Sequence, residues 1–92
     1  MLVVSEIEKT CEACPSQWEG KLSDGRRIYV RYRWGTLTVQ VGELGDDTDM
    51  AGVRGKVVFD ACVGRGYDGV MGYETLVQLT RHLIQWPLAE TG

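Results

Sequence analysis

The 92-residue chain has no apolar run long enough to cross a bilayer as a helix, so no membrane segment and no membrane partner are expected. Its start, MLVVSEIEK, carries neither a basic stretch nor a long apolar one, which predicts no secretory signal and a cytoplasmic protein. Excess positive charge is lacking too. Ten Lys and Arg against thirteen Asp and Glu leave a net charge of −3. This excludes broad, non-specific nucleic-acid binding, which depends on neutralising many phosphates, and leaves room only for a local basic patch. The three cysteines are an odd number where a secreted disulfide framework uses an even one, so reduced thiols are expected. A single histidine, His82, has no serine or cysteine partner and no orienting acid at an arguable position. Nucleophilic catalysis lacks its parts, and the expectation is a protein that is not an enzyme and takes no cofactor.

What is present is a strong β pattern followed by a helical one. QWEGKL, RIYVRYRW and TLTVQV are alternating runs separated by Asp24-Gly25 and by Gly35, which are signals for tight hairpins. Ile28, Val30, Tyr32 and Trp34 share one face of the middle run, with Trp18, Leu22, Leu37, Val39 and Val41 as neighbours. Residues 42–55 are polar, acidic and Gly-rich, as a long surface loop would be, and KVVFDACV then reads as a fourth strand. From Tyr73 to Trp86 the apolar period becomes helical, and Pro87 is expected to end that helix. The N-terminal LVVSEIE reads equally as an edge strand or as part of a helix. The fold class expected is α+β: an antiparallel meander of about four strands packed against one C-terminal helix. It forms a single domain over residues 1–92, with 1–10 and 87–92 as loose termini. Trp18, Trp34 and Trp86 are expected in the core, the last two close together under the helix.

Two candidate ligand surfaces follow. Between the fourth strand and the helix lie Gly64, Gly66, Gly69 and Gly72, which spell G-x-G-x-x-G and one more, with Arg65 and Tyr67 among them. Exposed backbone N–H groups next to a helix N-terminus can hold an anion, whereas glycines in this pattern also serve simply for tight turns and close packing; both readings stand. A dinucleotide fold of the Rossmann type is excluded, because no second strand and no acidic residue about twenty positions on follow the helix. The second surface is the outer face of the middle strand, Arg27, Tyr29, Arg31 and Arg33, where arginine forks match phosphate and the tyrosine can stack on a base. Its bland reading is a solvated face whose arginines are neutralised by Glu19 and the acidic loop. Cys11-x-x-Cys14 with Cys62 and His82 could in principle supply a Cys₃His zinc set, but a single CxxC is half a signature and His82 falls on the wet face of the expected helix, away from the strand carrying Cys62. GDDTD lacks the alternating ligands of a calcium loop, and the expectation is no metal, with zinc at the cysteines left open.

The run CPSQWEGKLSDGRRIYVRYRWGTLTVQVGE, residues 14–43, with Cys11 before it, resembles a pattern in small uncharacterised proteins encoded by phages and prophages. The resemblance implies a context, in which small accessory phage proteins act against host defence by covering a protein surface or by sequestering a nucleotide signal. In that context the expected function is a non-enzymatic binder of a phosphate-bearing, nucleotide-like signal in the host cytoplasm. Arg65, Gly64, Gly66, Tyr67, Gly69, Arg27, Tyr29, Arg31 and Arg33 would form its site, and a homo-oligomer would enclose it. The alternative is an inhibitor that blocks a host defence or nucleic-acid-binding protein by direct contact.

Overall fold

A computed structural model describes residues 1–13, 15–43, 55–64 and 69–90. In chain order the elements are β1 (Leu2–Cys11), β2 (Ser16–Leu22), β3 (Arg27–Arg33), β4 (Thr36–Val41), β5 (Lys56–Cys62), the helix α1 (Tyr73–Thr80) and the two-residue β6 (Ile84–Gln85). They build one six-stranded sheet in the order β5-β4-β3-β2-β1-β6. Successive strands β1 to β5 pair antiparallel with their neighbours, and β6 lies parallel to the start of β1.

The alternation anticipated for the central runs holds. Ile28, Val30 and Tyr32 of β3, Leu37, Val39 and Val41 of β4, and Trp18 and Leu22 of β2 are buried on one face. Register pairs Trp18 with Val30 and Val30 with Val39, so the apolar side chains stand in rows across the sheet. The β2–β3 turn is held by Asp24, whose carboxylate accepts from the Arg26 backbone N–H at 3.0 Å and from Arg26 Nε at 2.8 Å, while Gly25 takes φ 97°. In the β3–β4 turn both central residues are left-handed, Trp34 at φ 56° and Gly35 at φ 73°. That is the geometry whose twist suits a two-residue hairpin loop.

Several expectations are corrected. The sheet has six strands, and its meander runs through five, because residues 1–10, left open between strand, helix and loose end, supply β1 with Val4 and Ile7 buried in the core. The helix is not C-terminal and stops at Thr80 rather than Trp86. Leu83 N–H closes a turn on Thr80 C=O at 2.9 Å, and Leu2 N–H then donates to Leu83 C=O at 3.1 Å. The edge of β1 thus recruits Ile84 and Gln85 as a strand. A long-range ladder, with fully buried Ile84, outweighs the local helical period. Thr80 assists the reversal: its hydroxyl donates to Leu76 C=O at 2.7 Å and accepts from Trp86 Nε1 at 2.8 Å, folding the chain back across the helix end. Trp34 is not a core residue. It stands 61% exposed at the hairpin tip, so it is not under the helix with Trp86, whose ring packs instead against Tyr73. Beyond Pro87, the Glu90 carboxylate accepts from Trp18 Nε1 at 2.9 Å.

The helix covers the apolar face with Leu76 and Thr80, and Met71 closes one end of the core. Curvature of the sheet brings β5 toward the turn after α1, where Phe59 meets the His82 ring edge-on at 6.2 Å. Val58, Leu2, His82 and Leu83 line an open cavity of about 370 Å³ along this seam, giving a curled half-barrel. Among the described residues no helix is long and apolar enough to cross a membrane.

Candidate functional site

The outer face of β3 carries Arg27, Tyr29, Arg31 and Arg33, all half-buried by their cross-strand neighbours. Arg31 lies between Gln17 of β2 and Thr38 of β4; Tyr29 lies between Glu19 and Gln40; Arg27 is opposite Lys21; Arg33 is opposite Thr36. The immediate neighbours of Arg31 are therefore neutral. Gln17 is already engaged, since its Oε1 accepts from Tyr29 OH at 2.8 Å and its Nε2 donates to Thr10 Oγ1 at 3.3 Å. Arg31 Nε is left buried without an acceptor among the described residues. Lys9–Glu12 at 3.3 Å and Arg26–Asp24 at 2.8 Å are ion pairs, and neither involves an arginine of β3. A buried guanidinium N–H without a partner costs about 1–3 kcal/mol or more, which makes Arg31 a donor in want of an acceptor.

At the end of the strand, the Arg33 guanidinium carbon stands 5.0 Å from the centroid of the Trp34 ring. The left-handed turn points this large aromatic outward, where its stacking surface meets solvent. The first foot of the glycine segment stands on the same tip: Val63 and Gly64 N–H groups both donate to Gly35 C=O, at 2.9 and 3.0 Å. The second foot is on β2, where Ser16 N–H donates to Gly69 C=O at 2.8 Å. Met71 N–H donates to Ser16 Oγ at 2.9 Å, and that hydroxyl donates to Glu12 C=O at 2.6 Å. Ser16 is paired with Tyr32, one residue from Arg33, so both feet lie at the Arg33 end of the sheet.

The candidates therefore divide. Gly64, Gly69, Arg31 and Arg33 gather at one end, with Tyr29 next along the strand and tied to Gln17. Arg27 is six residues from Arg33, about 20 Å away at strand spacing, and does not join them. Arg65, Gly66 and Tyr67 lie outside the described residues. Gly72, the last glycine of the segment, is the N-cap of α1, and Met71 just before it is buried in the core. Cys11 and Cys62 sit on β1 and β5 with three strands between them, and Cys14 lies outside the described residues.

Sequence reasoning missed Trp34 as a surface residue. Its alternation with Ile28, Val30 and Tyr32 pointed inward, although Trp34-Gly35 between runs that pair residue for residue leaves only those two for the turn. A second aromatic cluster was also missed. Tyr73 and Trp86 stand edge-to-face with centroids 6.2 Å apart, and Tyr73 OH donates to Pro87 C=O at 2.7 Å. Burial, and secondarily the nearby Glu90 carboxylate, push the Tyr73 phenol up to about 12.

No protein-family model, curated protein or solved structure matches the chain.

Proposed function

We propose that this protein is a non-enzymatic binder that sequesters a phosphate-bearing, nucleotide-like ligand at the Arg33 end of its sheet. The observation that carries the reading is the buried Nε of Arg31, without a partner among the described residues and two residues along β3 from Arg33, which the exposed Trp34 follows. A phosphate oxygen at Arg31 supplies the missing acceptor, and Arg33 adds a second charge-assisted donor. Trp34 offers a π face to a base, an interaction worth about 1–3 kcal/mol per stacked base. Gly64 and Gly69, with Arg65 between them in sequence, would border the phosphate. The surface is an open sheet end, so a second copy of the chain would enclose the ligand, and a homo-oligomer is part of the proposal. The phage resemblance supplies a role, removal of a host defence signal in the host cytoplasm.

The test is thermal unfolding against inorganic phosphate, mononucleotides, dinucleotides and cyclic dinucleotides at low and moderate salt, with Arg31→Met and Arg33→Ala alongside. A nucleotide-dependent rise that persists at moderate salt, and falls at least tenfold in apparent affinity in either variant, supports the proposal. Absence of any shift across the panel refutes it. The exposed Trp34 beside Arg33 favours one further reading, because Trp and Arg are the usual anchors of protein contacts. In that reading the tip blocks a host defence protein, and loss of partner capture in Trp34→Ala with no nucleotide response distinguishes it.

A further inference from the structure

At the edge of the core, where Tyr73 of α1 and Trp86 pack against it, these two rings with Pro87 and Leu88 line a cavity of about 250 Å³, with Glu74 also lining it. This is smaller than the sites that take drug-sized ligands, so it suits a head group rather than a whole cofactor. Its two aromatic rings stand at 87° with centroids 6.2 Å apart, forming two walls of a corner. Their polar tips are already spent: Tyr73 OH donates to Pro87 C=O, and Trp86 Nε1 donates to buried Thr80 Oγ1. The rings therefore meet an occupant with carbon and π surface, not with hydrogen-bond donors.

The charge around the corner has one sign. Glu74 lines it, and among the described lining residues there is no basic side chain. Glu90, close enough to act on the Tyr73 phenol, is held in place by Trp18 Nε1 at 2.9 Å. Perpendicular aromatic faces, satisfied polar tips and a carboxylate rim are the arrangement that attracts a soft cation which cannot donate strong hydrogen bonds.

We propose that the corner formed by Tyr73 and Trp86, with Glu74 at its rim, is a binding site for a methylated ammonium head group. The site is separate from the β3 surface and does not depend on the nucleotide reading.

The experiment follows the Trp86 indole N–H and Tyr73 ring resonances by NMR during titration with choline, with neohexyl alcohol as its uncharged isostere, and with a short peptide bearing trimethyl-lysine. Choline or the peptide is expected to shift these resonances saturably, with the alcohol weaker on the order of tenfold. Tighter binding of the peptide assigns the side-chain source, and tighter binding of choline the free small molecule. Glu74 is exposed, so Glu74→Gln leaves folding intact; it is expected to weaken the cation several-fold and leave the alcohol unchanged. Equal binding of alcohol and cation, an unaltered cation affinity in Glu74→Gln, or no shift at Trp86 and Tyr73 overturns the proposal.

Discussion

Replacing Gly20 by alanine is the sharpest check on the packing of β1 against β2. Gly20 pairs with Ile7, beside the irregularity between Val4 and Glu6 where β1 carries an extra residue. A Cβ built on Gly20 would overlap the backbone carbonyl of Glu6 and touch Ile7 Cδ1 at 3.0 Å. A flexible side chain can move aside, but this obstacle is main chain already committed to the sheet, so the two strands must separate. Forcing extra volume into a packed site costs about 1–3 kcal/mol, and the rigid obstacle places Gly20 at the upper end. Alanine recovers about 0.5–1 kcal/mol of chain entropy in a strand, leaving a net loss of about 2 kcal/mol. For a domain of this size that lowers Tm by roughly 8–16 °C, read by circular dichroism. Gly72→Ala is the control. Among the described residues nothing lies within 4 Å of its Cβ position, and its φ of −83° suits any residue. Loss of a glycine cap and gain of entropy nearly cancel there, within about 0.5 kcal/mol. An unchanged or raised Tm in Gly20→Ala would refute the close approach of β2 to the Glu6 carbonyl.

Arg31→Met should leave stability unchanged or raise it by about 1 kcal/mol, because it removes a buried donor without an acceptor, while abolishing the nucleotide response; urea unfolding and ligand titration on one preparation read both. Thr80→Val removes the acceptor for Trp86 Nε1, and the expected loss is about 1–3 kcal/mol with a displaced Trp86 indole resonance. Spectrophotometric titration should show one tyrosine ionising near 12, absent from Tyr73→Phe. Since the folded state holds that proton more tightly than the ordinary phenol, with its pKa of 10.0, the contribution to stability is full below pH 10 and is lost as pH rises toward 12. Trp34→Ala should keep the fold and lose the stacking part of nucleotide binding, about 1–3 kcal/mol, and full retention of affinity would remove Trp34 from the site.

The arginine column was legible in the sequence because a strand repeats every two residues, so the buried Ile28, Val30 and Tyr32 imply an outward Arg27, Tyr29, Arg31 and Arg33. The two hairpins were legible for a similar reason: Asp24-Gly25 and Gly35 act over four residues of chain. Such local rules also set the central strands, the curl-forming apolar face and the start of α1. They do not say which arginine lacks an acceptor. That depended on Gln17 being taken by Tyr29 and Thr10, a contest among side chains of three strands. Nor do they place the feet of the glycine segment on Gly35 and Ser16, which are far away in sequence.

Where local pattern and long-range pairing disagreed, pairing prevailed. Ile84 and Gln85 continue a helical period by themselves, yet the unpaired edge of β1 offers Leu2 and Val3 as partners, and a strand forms there instead. Trp34 fits an inward alternation by itself, yet the residue-for-residue register of β3 with β4 leaves it no place but the turn. The sequence by itself determined the periodic faces and the turns, because these depend on neighbours a few residues apart. Only the tertiary structure decided which polar groups go unpaired, which aromatics meet and which edge captures a strand, because those outcomes depend on distances between residues that the chain order leaves free.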